Sequence, residues 1–187
     1  MTNSPSMLHW VKTHKLISLL IGMGSLIVIL SAIQSLIPSS ASWNSITPGK
    51  TSLEELKKQL GTPLSEKHQG DTTLLEYASD FPVYPNEVIV QKNTVSFIKE
   101  WVPASANRLL GEYVKIYGEP EFTTITKETY ESHTLHVFAS KGVAINAHNQ
   151  TKQVFHVWYF PPTTQEKFLS TFSEQLEILR GGQEQFQ

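Results

Sequence analysis

Leu53-Glu54-Glu55-Leu56-Lys57-Lys58-Gln59-Leu60-Gly61-Thr62-Pro63 is the stretch on which the fold reading turns, because its skeleton returns 57 positions later. Leu53, Leu56, Leu60, Gly61 and Pro63 are answered by Leu110, Tyr113, Tyr117, Gly118 and Pro120. Apolar residues at i, i+3 and i+7 lie on one face of a helix. A glycine then supplies the permissive residue at the C-terminus, and a nearby proline blocks continuation. Thr51 is placed to cap the first helix, with Glu54 reaching back to it. Ser105 or Asn107 is placed to cap the second, over 107–117.

Strand-like sequence follows each helix, at 73–79, 87–91 and 94–101, and then at 121–126, 133–140, 143–147 and 153–160. Thr73-Leu74 and Tyr77-Ala78-Ser79 are echoed by Thr134-Leu135 and Phe138-Ala139-Ser140, 61 positions on, and Trp101 and Trp158 return to the offset of 57. Order kept at nearly fixed offsets favours duplication over chance recurrence. Thr163-Thr164-Gln165-Glu166 is a further capping pattern, opening a helix with Leu169, Phe172, Leu176 and Leu179 on one face and Gly181 at its end. The expected fold is therefore α+β: two tandem repeats of helix plus antiparallel β-sheet, preceded by one N-terminal transmembrane helix. Repeat 1 takes 48–103, repeat 2 takes 104–162, and a C-terminal capping helix takes 163–182.

The transmembrane expectation rests on Leu16 to Ile37, 22 residues without a charge. As a helix they reach about 33 Å, enough for a bilayer's hydrocarbon core. A cleaved signal peptide competes, with Ser39-Ser40-Ala41 offering small residues for a peptidase. The apolar core of a signal peptide is shorter, about 7–15 residues, which favours an uncleaved anchor. Lys12 and Lys15 precede the span and no acidic residue does. The positive-inside tendency then makes 1–15 a cytoplasmic N-terminus and places the rest outside the cytoplasm. The Ser-rich stretch 38–47 reads as a linker.

Beyond the span the chain carries 13 Lys+Arg against all 17 acidic residues, a net charge of −4. No basic patch points to nucleic acid. The absence of cysteine removes disulfides, thiolate zinc sites, thiol catalysis and lipid attachment at a cysteine. No Gly-x-Ser-x-Gly, phosphate loop or dinucleotide fingerprint occurs. An envelope hydrolase would need a convergent nucleophile and base, and none can be picked out. Neither a cofactor nor a metal is expected.

Ile46-Thr47-Pro48-Gly49-Lys50-Thr51, followed by Leu53, Glu55, Leu56 and Leu60-Gly61-Thr62-Pro63, resembles the SmpA/OmlA domain of the bacterial outer-membrane assembly lipoprotein. The tandem plan is similar to that of the β-lactamase inhibitory protein. In copy two mainly the Leu-Tyr-Tyr-Gly-x-Pro skeleton remains, with Ala106 at the first glycine and Arg108 at the capping threonine. The resemblance implies an extracytoplasmic, non-enzymatic, protein-binding module. The lipoprotein's lipidated cysteine has no counterpart here.

Candidate binding residues come from the aromatics. Trp101-Val102-Pro103 and Trp158-Tyr159-Phe160-Pro161 end equivalent strands, and Phe155, Val157 and Tyr159 alternate against His156, Trp158 and Phe160. Both faces of that last strand are apolar or amphipathic, more than one helix layer needs. The expected docking surface is Trp101, Trp158 and His156, with Phe81 and Tyr84 from the proline-rich excursion 81–86, and repeat-to-repeat packing of the tryptophans is the competing role. The expected partners are an envelope protein and, through residues 16–37, the lipid bilayer. The alternative function is a small-ligand or metal sensor on a face shared by His136 and His156. His133 and His136, three apart in a strand, would point to opposite faces.

Overall fold

The computed structural model describes residues 40–81, 83–127, 132–174 and 176–177. Helix α1 (Leu53–Leu60) begins at Ser52, whose hydroxyl accepts from the Glu55 amide while the Glu55 carboxylate accepts from the Ser52 amide at 2.8 Å. The capping box is therefore Ser52/Glu55, one residue on from Thr51/Glu54; Thr51 instead accepts from the Thr47 amide. Helix α2 (Leu110–Tyr117) is shorter than 107–117, because Ala104–Ala106 form a 3-10 turn and Asn107 is left-handed. Leu109 precedes α2 without a side-chain cap.

Strands β1 (Ser65–Gln69), β2 (Thr72–Tyr77), β3 (Asn86–Gln91) and β4 (Thr94–Trp101) follow α1 as an antiparallel meander. Strands β5 (Phe122–Thr126), β6 (His133–Phe138), β7 (Val143–His148) and β8 (Val154–Tyr159) follow α2. The expectation of two helix-plus-sheet repeats is corrected here. β4 and β8 pair antiparallel, from Ile98↔Tyr159 to Trp101↔His156, so that all strands, with a short β9 (Leu176–Glu177) at one edge, join one continuous sheet in the order β1-β2-β3-β4-β8-β7-β6-β5-β9. The physical reason is that a separate sheet on each side would leave two central, largely apolar strands with open edges, and pairing them removes both.

One face of the sheet packs against α1 and α2. Leu56, Leu75, Val88, Val95, Ile98, Ile145 and Val157 are fully buried there, with Tyr113 and Leu110 from α2. On this face Glu100 of β4 is buried and ties the seam together: it accepts from the Tyr159 hydroxyl of β8 at 2.8 Å and from Arg108, just before α2, at 2.7 Å. The opposite face carries a second apolar cluster of Leu135, Val137, Ala144, Trp158 and Phe160 under Phe168 of α3 (Gln165–Thr171).

The capping helix expected over 163–182 is also corrected. Thr164 caps α3, which ends at Thr171, and Leu176–Glu177 form β9 beside β5. Phe168, absent from the expected stripe, is the buried anchor, whereas Leu169 is exposed; Gly181 and Leu179 lie outside the described residues. The linker reading of 38–47 gives way as well. Trp43 and Ile46 bridge one another and are buried in the main core, and the Ala41 amide donates to the Lys141 carbonyl. Their apolar character drives this packing, which the serines around them disguise.

No described helix is long and apolar enough to cross a membrane. Residues 16–37, where the sequence places a transmembrane helix, lie outside the described residues.

Gly142 closes the 3-10 turn Ala139–Lys141 between β6 and β7 with φ +71°, and a β-carbon there would overlap the Phe160 carbonyl oxygen. Gly70, in the β1–β2 turn, has φ +59° but open space around it. Gly70→Ala is expected to cost about 1 kcal/mol, the strain of a left-handed alanine alone. Gly142→Ala is expected to cost about 3 kcal/mol or more, since contact with backbone adds to strain. Urea unfolding of the two variants measures the difference, and equal costs would contradict the packing at Gly142.

Candidate functional site

Side chains on the α3 face form an aromatic row running off the sheet into the β2–β3 loop. The register puts Trp101, His156 and Asn146 directly across from one another, with Lys99 and Trp158 one step along. His156 stacks on Trp158 (centroids 5.7 Å, 14° between planes) and meets Trp101 edge-on at 5.3 Å. Strict alternation would send Phe155 to the helix face with Val157. A register shift at Asn146/Ala147 leaves Phe155 as an extra residue, and its ring lies 5.1 Å from Trp101 and 5.8 Å from His156. The irregularity re-aims one large aromatic side chain, as bulges do.

The loop between β2 and β3 completes the row. Ser79 organises it: its hydroxyl accepts from the Phe81 amide at 2.9 Å and donates to the Tyr84 carbonyl at 2.6 Å. Asn86 pins the loop to the sheet, donating to the Ala78 carbonyl and accepting from the Trp101 amide. Tyr84 stacks on Trp101 at 4.6 Å, and Phe81 sits edge-on to Phe155 at 6.3 Å. The Lys99 ammonium lies 4.3 Å from the centre of the Trp101 ring, a cation–π contact.

The expected docking residues therefore divide. Trp101, Trp158 and His156 are buried, covered by the loop and by α3 with Phe172, so they form a platform and not a surface. Tyr84 stays 41% exposed and Val83 76% exposed, and Phe81 is half-buried between them and Phe155. The sheet contributes the support, and the loop contributes what a partner can reach. In the sequence only its place between Pro82 and Pro85 marks Val83.

The histidines do not converge as the sensor alternative requires. His136 pairs with Ile145 and through it with Val157 on the helix face, whereas His156 pairs with Asn146 on the other, so the two point away from each other. His133 and His148 do meet, with centroids 5.1 Å apart. The His148 Nδ1 accepts from the Gln150 and Thr151 amides, which puts the neutral ring's proton on Nε2 and leaves no lone pair there for a metal. Among the described residues no group of three or more His, Asp or Glu is gathered to hold a metal ion.

Burial holds the His156 imidazole well below its usual pKa, with Lys99 and then His133 adding to the effect; burial also lowers His136, helped by Lys152. Neither ring nitrogen of His156 has a hydrogen-bond partner among the described residues. Both shifts have the same sign. The unfolded chain takes up protons near pH 6.5 that these two folded histidines refuse, so stability is retained above about pH 6.5 and falls below it. Urea unfolding at pH 7.5 and 5.5 is expected to show a lower midpoint at the acid value. His156→Gln is expected to flatten that dependence, and an unchanged slope would contradict a buried neutral imidazole.

No family model and no curated protein matches this chain. The resemblance to SmpA/OmlA therefore rests on the short motif at 46–63 alone. Among solved structures, a cysteine-rich secretory protein from Staphylococcus aureus subsp. aureus Mu50 is similar at 14% identity and a TM-score of 0.39. The match covers 72% of this chain and 54% of that one, so this chain spans about half the length of the protein it is compared with.

Proposed function

We propose that this chain is a non-enzymatic protein-binding module acting outside the cytoplasm, held at a cell-envelope membrane by the apolar stretch 16–37. Docking runs through the loop tip at Val83 and Tyr84. The observation that carries the reading is that an exposed aromatic–aliphatic tip is held rigid by buried structure. Tyr84 lies on Trp101, and Ser79 and Asn86 fix the backbone on either side of it. Rigid aromatic side chains bind at low entropic cost, which is why they dominate the energetics of interfaces. A mobile apolar loop would offer the same atoms with an ordering penalty.

Absence of catalysis is part of the same reading. Both oxygens of the buried Glu100 carboxylate are committed to hydrogen bonds, and His156 is enclosed by aromatic rings. Neither is placed to exchange a proton with a substrate. The charge pattern around 16–37, with Lys12 and Lys15 ahead of it, supports the orientation.

A photocrosslinking amino acid at position 83 in the full chain, expressed in membranes, tests the proposal. One discrete protein adduct is expected, and the purified partner is expected to bind the Tyr84→Ala or Val83→Asp variant about tenfold or more weakly. Val83→Asp changes an exposed position and should leave stability within about 0.5 kcal/mol. Crosslinks spread over many proteins, or a partner whose affinity ignores both substitutions, would refute docking through this loop.

A further inference from the structure

A second feature lies beside the loop and is not used by the docking reading. A cavity of about 430 Å³ opens at the strand ends, reached from Leu60 at the end of α1 and from Arg108 ahead of α2. Its size lies within the range of small-molecule sites, about 300–1,000 Å³. Six lining residues carry its chemistry: Trp43, Tyr77, Asp80, Asn86, Glu100 and Arg108.

Its polar groups are fixed in place. Glu100 holds the Arg108 Nη1 at 2.7 Å, and the Tyr113 hydroxyl stands 3.4 Å from the same nitrogen. The plane of the guanidinium is thus set, while its Nε and Nη2 donors have no partner among the described residues. Asn86 is locked by its two bonds to the Ala78 carbonyl and the Trp101 amide. Tyr77 is buried in the wall with a hydroxyl that has no hydrogen-bond partner among the described residues.

Charge narrows the class of ligand. The positive charge of Arg108 is already balanced by Glu100, and Asp80 on the exposed rim adds a negative charge. A carboxylate or phosphate would find no unpaired cation here and would face Asp80. A simple cation would face the guanidinium. A neutral ligand that both donates and accepts hydrogen bonds, and has apolar C–H surface for Trp43 and Tyr77, suits every wall. We propose that this cavity binds a neutral, hydroxyl-rich small molecule of the saccharide class, with the free edge of Arg108 donating to its hydroxyls and Asp80 accepting from them.

The test uses the full chain in phosphatidylcholine nanodiscs, which carry no sugar of their own. Maltose, cellobiose and N,N′-diacetylchitobiose are titrated by calorimetry and tryptophan fluorescence, since Trp43 lines the cavity. Nanodiscs doped with a digalactosyl lipid, assayed by fluorescence, distinguish a lipid headgroup from a free sugar. Saturable binding of at least one saccharide is expected, weakened about tenfold or more by Asp80→Ala and by Arg108→Lys, which keeps the charge but removes the planar donor edge. Asp80 is exposed and has no hydrogen bond or ion pair among the described residues, so its variant carries the test if Arg108→Lys fails to fold. No saturable binding of any saccharide, free or lipid-borne, would overturn the proposal. So would binding that Asp80→Ala leaves unchanged, or tighter binding of inorganic phosphate than of every saccharide.

Discussion

Pairing of β4 with β8 is the constraint on which the rest of this structure depends. It joins the last strand of the β1–β4 meander to the last strand of the β5–β8 meander, across only four residue pairs. Because Trp101 meets His156 in that register, the aromatic row forms across the seam and not within either half. On the opposite face Glu100 of β4 bonds Tyr159 of β8 and Arg108 together, so the same seam positions the wall of the polar cavity. A slip of one residue would turn both sets of side chains to the wrong faces.

The two functional features follow from the two faces of that seam. Toward α3, burial of Trp101, His156 and Trp158 makes a rigid base, and the Ser79–Asn86 bonds fasten the Tyr84 loop to it. Toward α1 and α2, a buried carboxylate needs a partner, and Arg108 supplies one while keeping part of its donor edge free. Burying a carboxylate is costly unless paired. Glu100 therefore fixes where Arg108 must lie.

Features set by local chemistry are legible in the sequence. The glycine stops at Gly61 and Gly118 do end α1 and α2, each with positive φ, and most strands lie within two residues of their expected limits. Non-local pairing was not legible. Nothing in either half shows that β4 and β8 will share an edge, because each reads as a strand for any partner. The polar strand β1, Ser65–Gln69, leaves no sequence signal, since four of its five residues are exposed and it carries no alternation. Alternation alone places Phe155 on the face of Val157, because a bulge leaves no mark on sequence periodicity. In the sequence Arg108 is only a departure from a motif, and its role appears once Glu100 stands beside it.

Native-state hydrogen exchange on 40–177 in the full chain tests the central claim, that the seam makes one cooperative unit of the two halves. Amides in β2 and β3 are compared with those in β6 and β7 as urea is raised below the unfolding transition. If the seam governs the fold, the slowest amides on both sides merge into one opening at the same free energy, equal to that of global unfolding. Two separate isotherms, with one half opening while the other stays protected, would show that the halves are independent and would contradict the account.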